Sequence, residues 1–213
     1  MKTDDLVAML STGPVAAPRG AASRRLWLVL LVGVALSLAI LFAWYGLRRD
    51  LVQAMFWPMF WVKLLFPLCI AAAGFVMAHR LARPGVPVRR AWAGAALPVL
   101  ALWALAVAAW FDAPAEARMP SLMGQSWRIC AFSIGLMALP VFVGAMAVLR
   151  SMAPTRPALA GAAAGALAGG VGAAVYALHC MELTAPFLAV WYVSGIAVPV
   201  LAGAALGRRM LRW

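Results

Sequence analysis

Apolar positions along the chain form long unbroken runs rather than the broken stripe of a soluble helix. The runs are Leu26–Leu47, Phe56–Ala78, Ala91–Phe111, Trp127–Leu149, Ala158–His179 and Phe187–Leu206. Each is about 20 to 23 residues, the length an α-helix needs to cross ~30 Å of hydrocarbon. The pattern predicts an all-α fold, a polytopic bundle of six transmembrane helices. The first run is expected to anchor the chain rather than be cleaved, because its core is long, it lacks an A-x-A flank and it continues to Trp44 and Tyr45. A five-span variant with a re-entrant fifth segment needs irregular backbone at depth, which only a protein-lined cavity tolerates.

Composition agrees with the pattern. Of 213 residues, 66% are hydrophobic and 11% charged, with a mean hydropathy of +0.95. Too few polar groups remain to solvate a water-facing surface, which excludes a soluble enzyme domain. The formal charge of +12 does not call for direct contact with nucleic acid, since basic residues in so apolar a chain mark cytoplasmic loops. Lys2, Arg19, Arg24, Arg25, Arg80, Arg83, Arg89, Arg90, Arg150, Arg156, Arg208, Arg209 and Arg212 fall on one side of the six spans. Arg48, Arg49, Arg118 and the boundary residue Arg128 fall on the other, with Asp50, Asp112, Glu116 and Glu182. The positive-inside rule then places both termini in the cytoplasm, with Arg48 and Arg49 as a local exception. The connection Asp112–Ser126, with Pro114, Pro120 and Gly124, reads as a loop.

Two parts follow: a cytoplasmic tail, residues 1–25, and a transmembrane domain, residues 26–213. In the tail, Thr3 can cap a short helix whose first turn carries Asp4 and Asp5, and Leu6, Met9 and Leu10 share one face. Gly13 and Pro14 stop it. Such a helix is too short to persist alone in water, so it is expected to order on a partner. Composition alone favours an ordinary terminus, and a helix lying on the membrane is opposed by Asp4 and Asp5, which anionic lipid would repel.

Chemistry-bearing residues are sparse. Three cysteines and no C-x-x-C exclude a disulfide framework and a thiol oxidoreductase of that type. Cys130 and Cys180 share a similar depth near the outer face, where small packing residues and a reactive pair are both chemically reasonable; Cys69 lies mid-span. His179 and Glu182 flank Cys180 as candidate metal ligands, but a histidine at a helix end is ordinarily a boundary residue, and neither a resident metal nor a cofactor is expected. Lys63, two turns into the second span, is expected to snorkel outward or to pair with Asp50, Asp112 or Glu116. Arg128, two residues from Cys130, is placed to activate that thiol. Gly161, Gly165 and Gly169 form a close-packing stripe, for use within the chain or, alternatively, in a homodimer.

Several strings recur together in order: MKTDDLVAML at Met1–Leu10, GLRRDL at Gly46–Leu51, FWVK at Phe60–Lys63, RLARPG at Arg80–Gly85, SWRIC at Ser126–Cys130, HC at His179–Cys180, WY at Trp191–Tyr192 and LRW at Leu211–Trp213. In order and spacing they resemble the NrsF-type six-helix membrane anti-sigma factors of bacteria, across nearly the whole chain. The resemblance implies a non-enzymatic regulator in the bacterial inner membrane. It would hold an extracytoplasmic-function sigma factor inactive and release it under envelope, oxidative or heavy-metal stress. It makes Cys130 and Cys180 a sensing pair, and it turns Asp4, Asp5, Leu6, Met9 and Leu10 into a sigma-binding helix in a groove. A small transporter or channel is the alternative, opposed by the lack of any acid within the first, third and sixth spans.

Overall fold

A computed structural model of the protein describes residues 3–12, 21–83 and 89–212. Among the described residues every regular element is helical. In order these are α1 (Thr3–Thr12), α2 (Ala21–Ile40, extended by a π-helical turn Leu41–Tyr45), α3 (Leu51–Ala54), α4 (Pro58–Leu81) and α5 (Arg89–Asp112). Then follow α6 (Ala115–Met123), α7 (Trp127–Arg150), α8 (Pro157–Tyr176), α9 (Ala185–Phe187), a second π-helical turn Leu188–Tyr192, and α10 (Val193–Met210). Six helical segments are long and apolar enough to cross a membrane: Ser23–Tyr45, Pro58–Leu81, Ala91–Asp112, Ala115–Arg150, Pro157–Tyr176 and Ala185–Met210. They coincide with the six predicted runs. The connection expected as a loop is largely α6, which Pro114 introduces, Glu116 supports at the dipole's positive end, and Gly124 terminates at φ +54°.

The bundle is apolar outside as well as inside. Leu31, Phe42, Leu97, Trp103, Phe132 and Leu201, from four of the long helices, are all exposed. Such a surface is stable against lipid tails and not against water.

At the centre stands α8, buried at every position from Ala160 to Tyr176. Its side chains are mostly Ala and Gly because three neighbours approach its backbone closely. A Cβ on Gly170 would lie 2.5 Å from the Pro67 carbonyl oxygen of α4, and one on Gly172 would lie 2.6 Å from the Ile134 carbonyl oxygen of α7. Gly161, Gly165 and Gly169 meet the backbone of α10 around Gly203, Pro199 and Ile196. The glycine stripe is therefore consumed inside the chain, which corrects the alternative of a homodimer through it: no free face is left there. On the far side of α7, the buried hydroxyl of Ser37 donates to the Met137 carbonyl at 2.7 Å and ties α2 in place.

The six long helices run alternately up and down. One end gathers the connections containing Arg48, Gly124 and Cys180, the cysteine end; the other gathers Arg25, Arg80, Arg150 and Arg208, the arginine end.

Candidate functional site

Beyond Tyr176 the chain leaves the helix, and the irregular stretch 177–184 returns it to α9 across the cysteine end. That stretch is held from three sides. The Arg48 backbone N–H donates to the Leu178 carbonyl at 3.0 Å, and His179 Nδ1, as the protonated nitrogen, donates to the Gly46 carbonyl at 3.1 Å. The Arg48 side chain, only 2% exposed, grips both carboxylate oxygens of Asp50 at 2.7 and 2.8 Å and directs Nη1 at the Cys180 carbonyl, 3.3 Å away. From α4, Lys63 Nζ donates to the carbonyls of Cys180 at 2.6 Å and Glu182 at 2.7 Å. On the third side, the Glu182 carboxylate accepts the Gln125 N–H at 2.7 Å, and Thr184 Oγ1 donates to the Ser121 carbonyl at 2.7 Å.

The Arg48–Asp50 pair is bidentate, the strongest geometry available to such a pair. Hydrogen bonding from the Arg48 guanidinium holds the Asp50 carboxyl below the usual carboxylate range. The same bond raises Arg48 against the opposing effect of its burial. Both groups stay charged at neutral pH.

Both predicted thiols reach this place. Cys130 is on the first turn of α7 and fully buried; Cys180 is 3% exposed, and both are free thiols. Ser126 links them. Its carbonyl accepts the Cys130 N–H at 3.0 Å, and its hydroxyl lies 3.9 Å from Cys180 Sγ.

All three tyrosines of the chain converge here too. Tyr45 hydrogen-bonds Ser133 at 3.0 Å and packs edge-on against Tyr176, whose ring is 6.1 Å from that of Tyr192. Lys63 Nζ stands 5.2 Å from the Tyr192 ring centroid. The Tyr192 hydroxyl is buried with no hydrogen-bond partner among the described residues. Motif reading quoted Tyr45 and Tyr192 but gave the tyrosines no place in a site, although a signal was present: Leu41–Tyr45 reads LFAWY and Leu188–Tyr192 reads LAVWY, and both form π-helical turns. Such turns concentrate at functional sites.

Several expectations need correction. Lys63 neither snorkels nor pairs with an acid; it is wholly buried, and its partners are backbone carbonyls. Arg128 does not address Cys130, because it is exposed and lies over the Trp127 ring at 5.2 Å. His179 and Glu182 are engaged elsewhere, and among the described residues no group of His, Cys, Asp and Glu is arranged to hold a metal ion. The cysteine pair lies at the cysteine end but beneath its surface, not outward-facing. Cys69 is exposed on the bundle's side, remote in sequence from the pair. In the tail, α1 carries exposed Asp4 and Asp5; the side chains of Leu6, Met9 and Leu10 lie outside the described residues.

A family model described as "Negative regulator of sigma F" matches residues 10–213. The chain belongs to the NrsF family. Within that family it is 41% identical over 213 residues, the full length of both chains, to the "Probable anti-sigma-F factor NrsF" of Azospira oryzae. It is likewise 41% identical over 217 aligned positions, again all of both chains, to the "Anti-sigma-F factor NrsF" of Caulobacter vibrioides. No solved structure matches the chain. The resemblance read from the ordered strings is thus borne out. NrsF proteins are by name regulators rather than catalysts.

Proposed function

We propose that the protein is a membrane-resident anti-sigma factor. The observation that carries this reading is the full-length 41% identity to a protein named anti-sigma-F factor. The bundle sits in the bacterial inner membrane with its arginine end in the cytoplasm, a reading supported by the positive-inside bias of the loops. The amino-terminal segment, residues 1–25, binds the partner, an extracytoplasmic-function sigma factor. Asp4 and Asp5 face its basic side chains, and Leu6, Met9 and Leu10 enter a groove. What supports the tail as bait is that α1 carries two acids in its first turn, beyond the long helices of the bundle. Cys130 and Cys180, at the opposite end, receive envelope, oxidative or heavy-metal stress as chemistry at sulfur. A change of ~1–3 kcal/mol between two bundle arrangements alters partner affinity roughly 5- to 150-fold, enough to release a sequestered factor.

The test is co-purification from solubilised membranes. A single sigma factor is expected to accompany the full chain and to be absent when residues 1–25 are deleted or when Leu6 and Leu10 are both replaced by Asp. Retention of the factor by either variant would move the binding site to the loops at the arginine end.

A further inference from the structure

We propose that Lys63 is the positioning residue of the thiol segment: its buried ammonium latches the backbone of Cys180 and Glu182 to α4, and a group added to the Cys180 sulfur opens that latch. This rests on reading Cys180 as a sensing thiol.

The ammonium is fully buried, and among the described residues no carboxylate pairs with it. Two of its three donors go to carbonyls on alternate residues of one irregular stretch, at 2.6 and 2.7 Å, and the charge lies 5.2 Å from the Tyr192 ring centroid. Burying such a charge is costly unless it is hydrogen-bonded, so the segment and the ammonium hold each other in place. Moving the segment away strands the charge, which makes the two arrangements discrete rather than a continuum. The trigger lies at the same residue. Cys180 Sγ is packed near the Ser126 hydroxyl at 3.9 Å, on the same residue whose carbonyl takes the Lys63 bond. Cys180 is 3% exposed, so a thiophilic metal ion that takes the place of its thiol proton, the proton leaving to water, adds bulk at a closely packed position and displaces the segment.

The receiving helix has a weak point directly beneath the latch. Pro67, four residues after Lys63, has no N–H to give to the Lys63 carbonyl, so α4 lacks one helical bond at that level. Below it, α4 and α8 touch backbone to backbone, through Gly170 on Pro67 and Ala71 and through Gly74 on Ala166 and Leu167. A change in load on Lys63 therefore enters the α4–α8 pair at Pro67, where close contact leaves little slack.

The experiment uses the full chain in membrane vesicles with Cys69 and Cys130 replaced by Ser, leaving Cys180 for N-ethylmaleimide. With Lys63 present, labelling is expected to be slow. Lys63→Met removes the donors and should raise the rate about tenfold or more, the factor that ~1.4 kcal/mol of lost closure gives; Lys63→Arg, which keeps them, should stay near the native rate. Lys63→Gln, with donors on a shorter arm, is expected to fall between and carries the comparison if the Met variant is lost from membranes. In cells, Lys63→Met should raise the output of the sequestered sigma factor without stress, including in a Cys130→Ser/Cys180→Ser background, because the latch acts after the thiols. Native labelling, or raised output only when both cysteines are present, overturns the latch. A normal stress response in the cysteine double variant defeats the thiol reading instead, which separates the two failures.

Discussion

Gly172→Ala tests whether α8 is the hub of the bundle. A methyl group there would fall 2.6 Å from the Ile134 carbonyl oxygen and 2.8 Å from the Ala138 backbone nitrogen, both on α7. Ordinary contact begins near 3.4 Å, so α7 and α8 must part by about 0.8 Å, since neither atom belongs to a side chain that can turn aside. Forcing a methyl group into so close a contact typically costs about 1–3 kcal/mol. Alanine also favours a helix over glycine by roughly 1 kcal/mol, which would blur the result if read alone. Gly135→Ala supplies the control. It lies on α7, and a Cβ there meets nothing within 4 Å. Both substitutions gain the same intrinsic term, so the difference between them isolates the clash, at about 1–3 kcal/mol. Unfolding by SDS titration in mixed micelles would measure it. Equal stability of the two variants would refute the claim that backbone contact between α7 and α8 holds this arrangement.

Two further outcomes follow from the cysteine end. Cys130→Ser with Cys180→Ser is expected to leave the chain in the membrane and to abolish induction of the partner's regulon by oxidant or heavy-metal stress, whereas Cys69→Ser, on the exposed side of α4, should leave induction intact; reporter output decides both. Asp50 is held below the usual carboxylate range by Arg48, so its stabilising contribution is complete above the ordinary value near 3.8 and is lost as pH falls through the lowered one. Asp50→Asn should therefore flatten the fall in thermal midpoint between neutral pH and about pH 3, and an unchanged slope would remove the pair from that role.

The spans were legible because bilayer thickness imposes a length that no soluble fold requires, and the predicted runs agree with the helices to within a few residues at most ends. What was not legible were interactions between chain-distant backbone and side chains. Lys63 looked like a snorkelling charge because its partners, the carbonyls of Cys180 and Glu182, are 117 and 119 residues away and carry no side-chain signal. The π-helical turns left only a repeated LxxWY string, recognisable once both copies had been seen in place. Depth put Cys130 and Cys180 at one level, since consecutive antiparallel helices bring matching depths to one end, and the resemblance made them a pair. Depth could not tell, however, that the stretch carrying Cys180 folds inward over the site.

Of the two arginines that form the exception in the charge pattern, Arg48 has a physical resolution, while Arg49 is exposed. Arg48 counted against the proposed orientation as a positive charge on the outer side. In the folded chain it is buried, neutralised by Asp50 two residues on, and committed to the Cys180 carbonyl. Arg118 donates to the Ala113 carbonyl at 3.1 Å, and Arg128 lies over Trp127. A guanidinium tied into the fold in this way has a structural reason for being where it is, independent of any topological signal. Translocating it is least costly when its acid travels in the same short connection, as Asp50 does with Arg48. The orientation bias then rests on arginines of the opposite end, and the residue that seemed to weaken the topology becomes one of the ties that hold the cysteine segment.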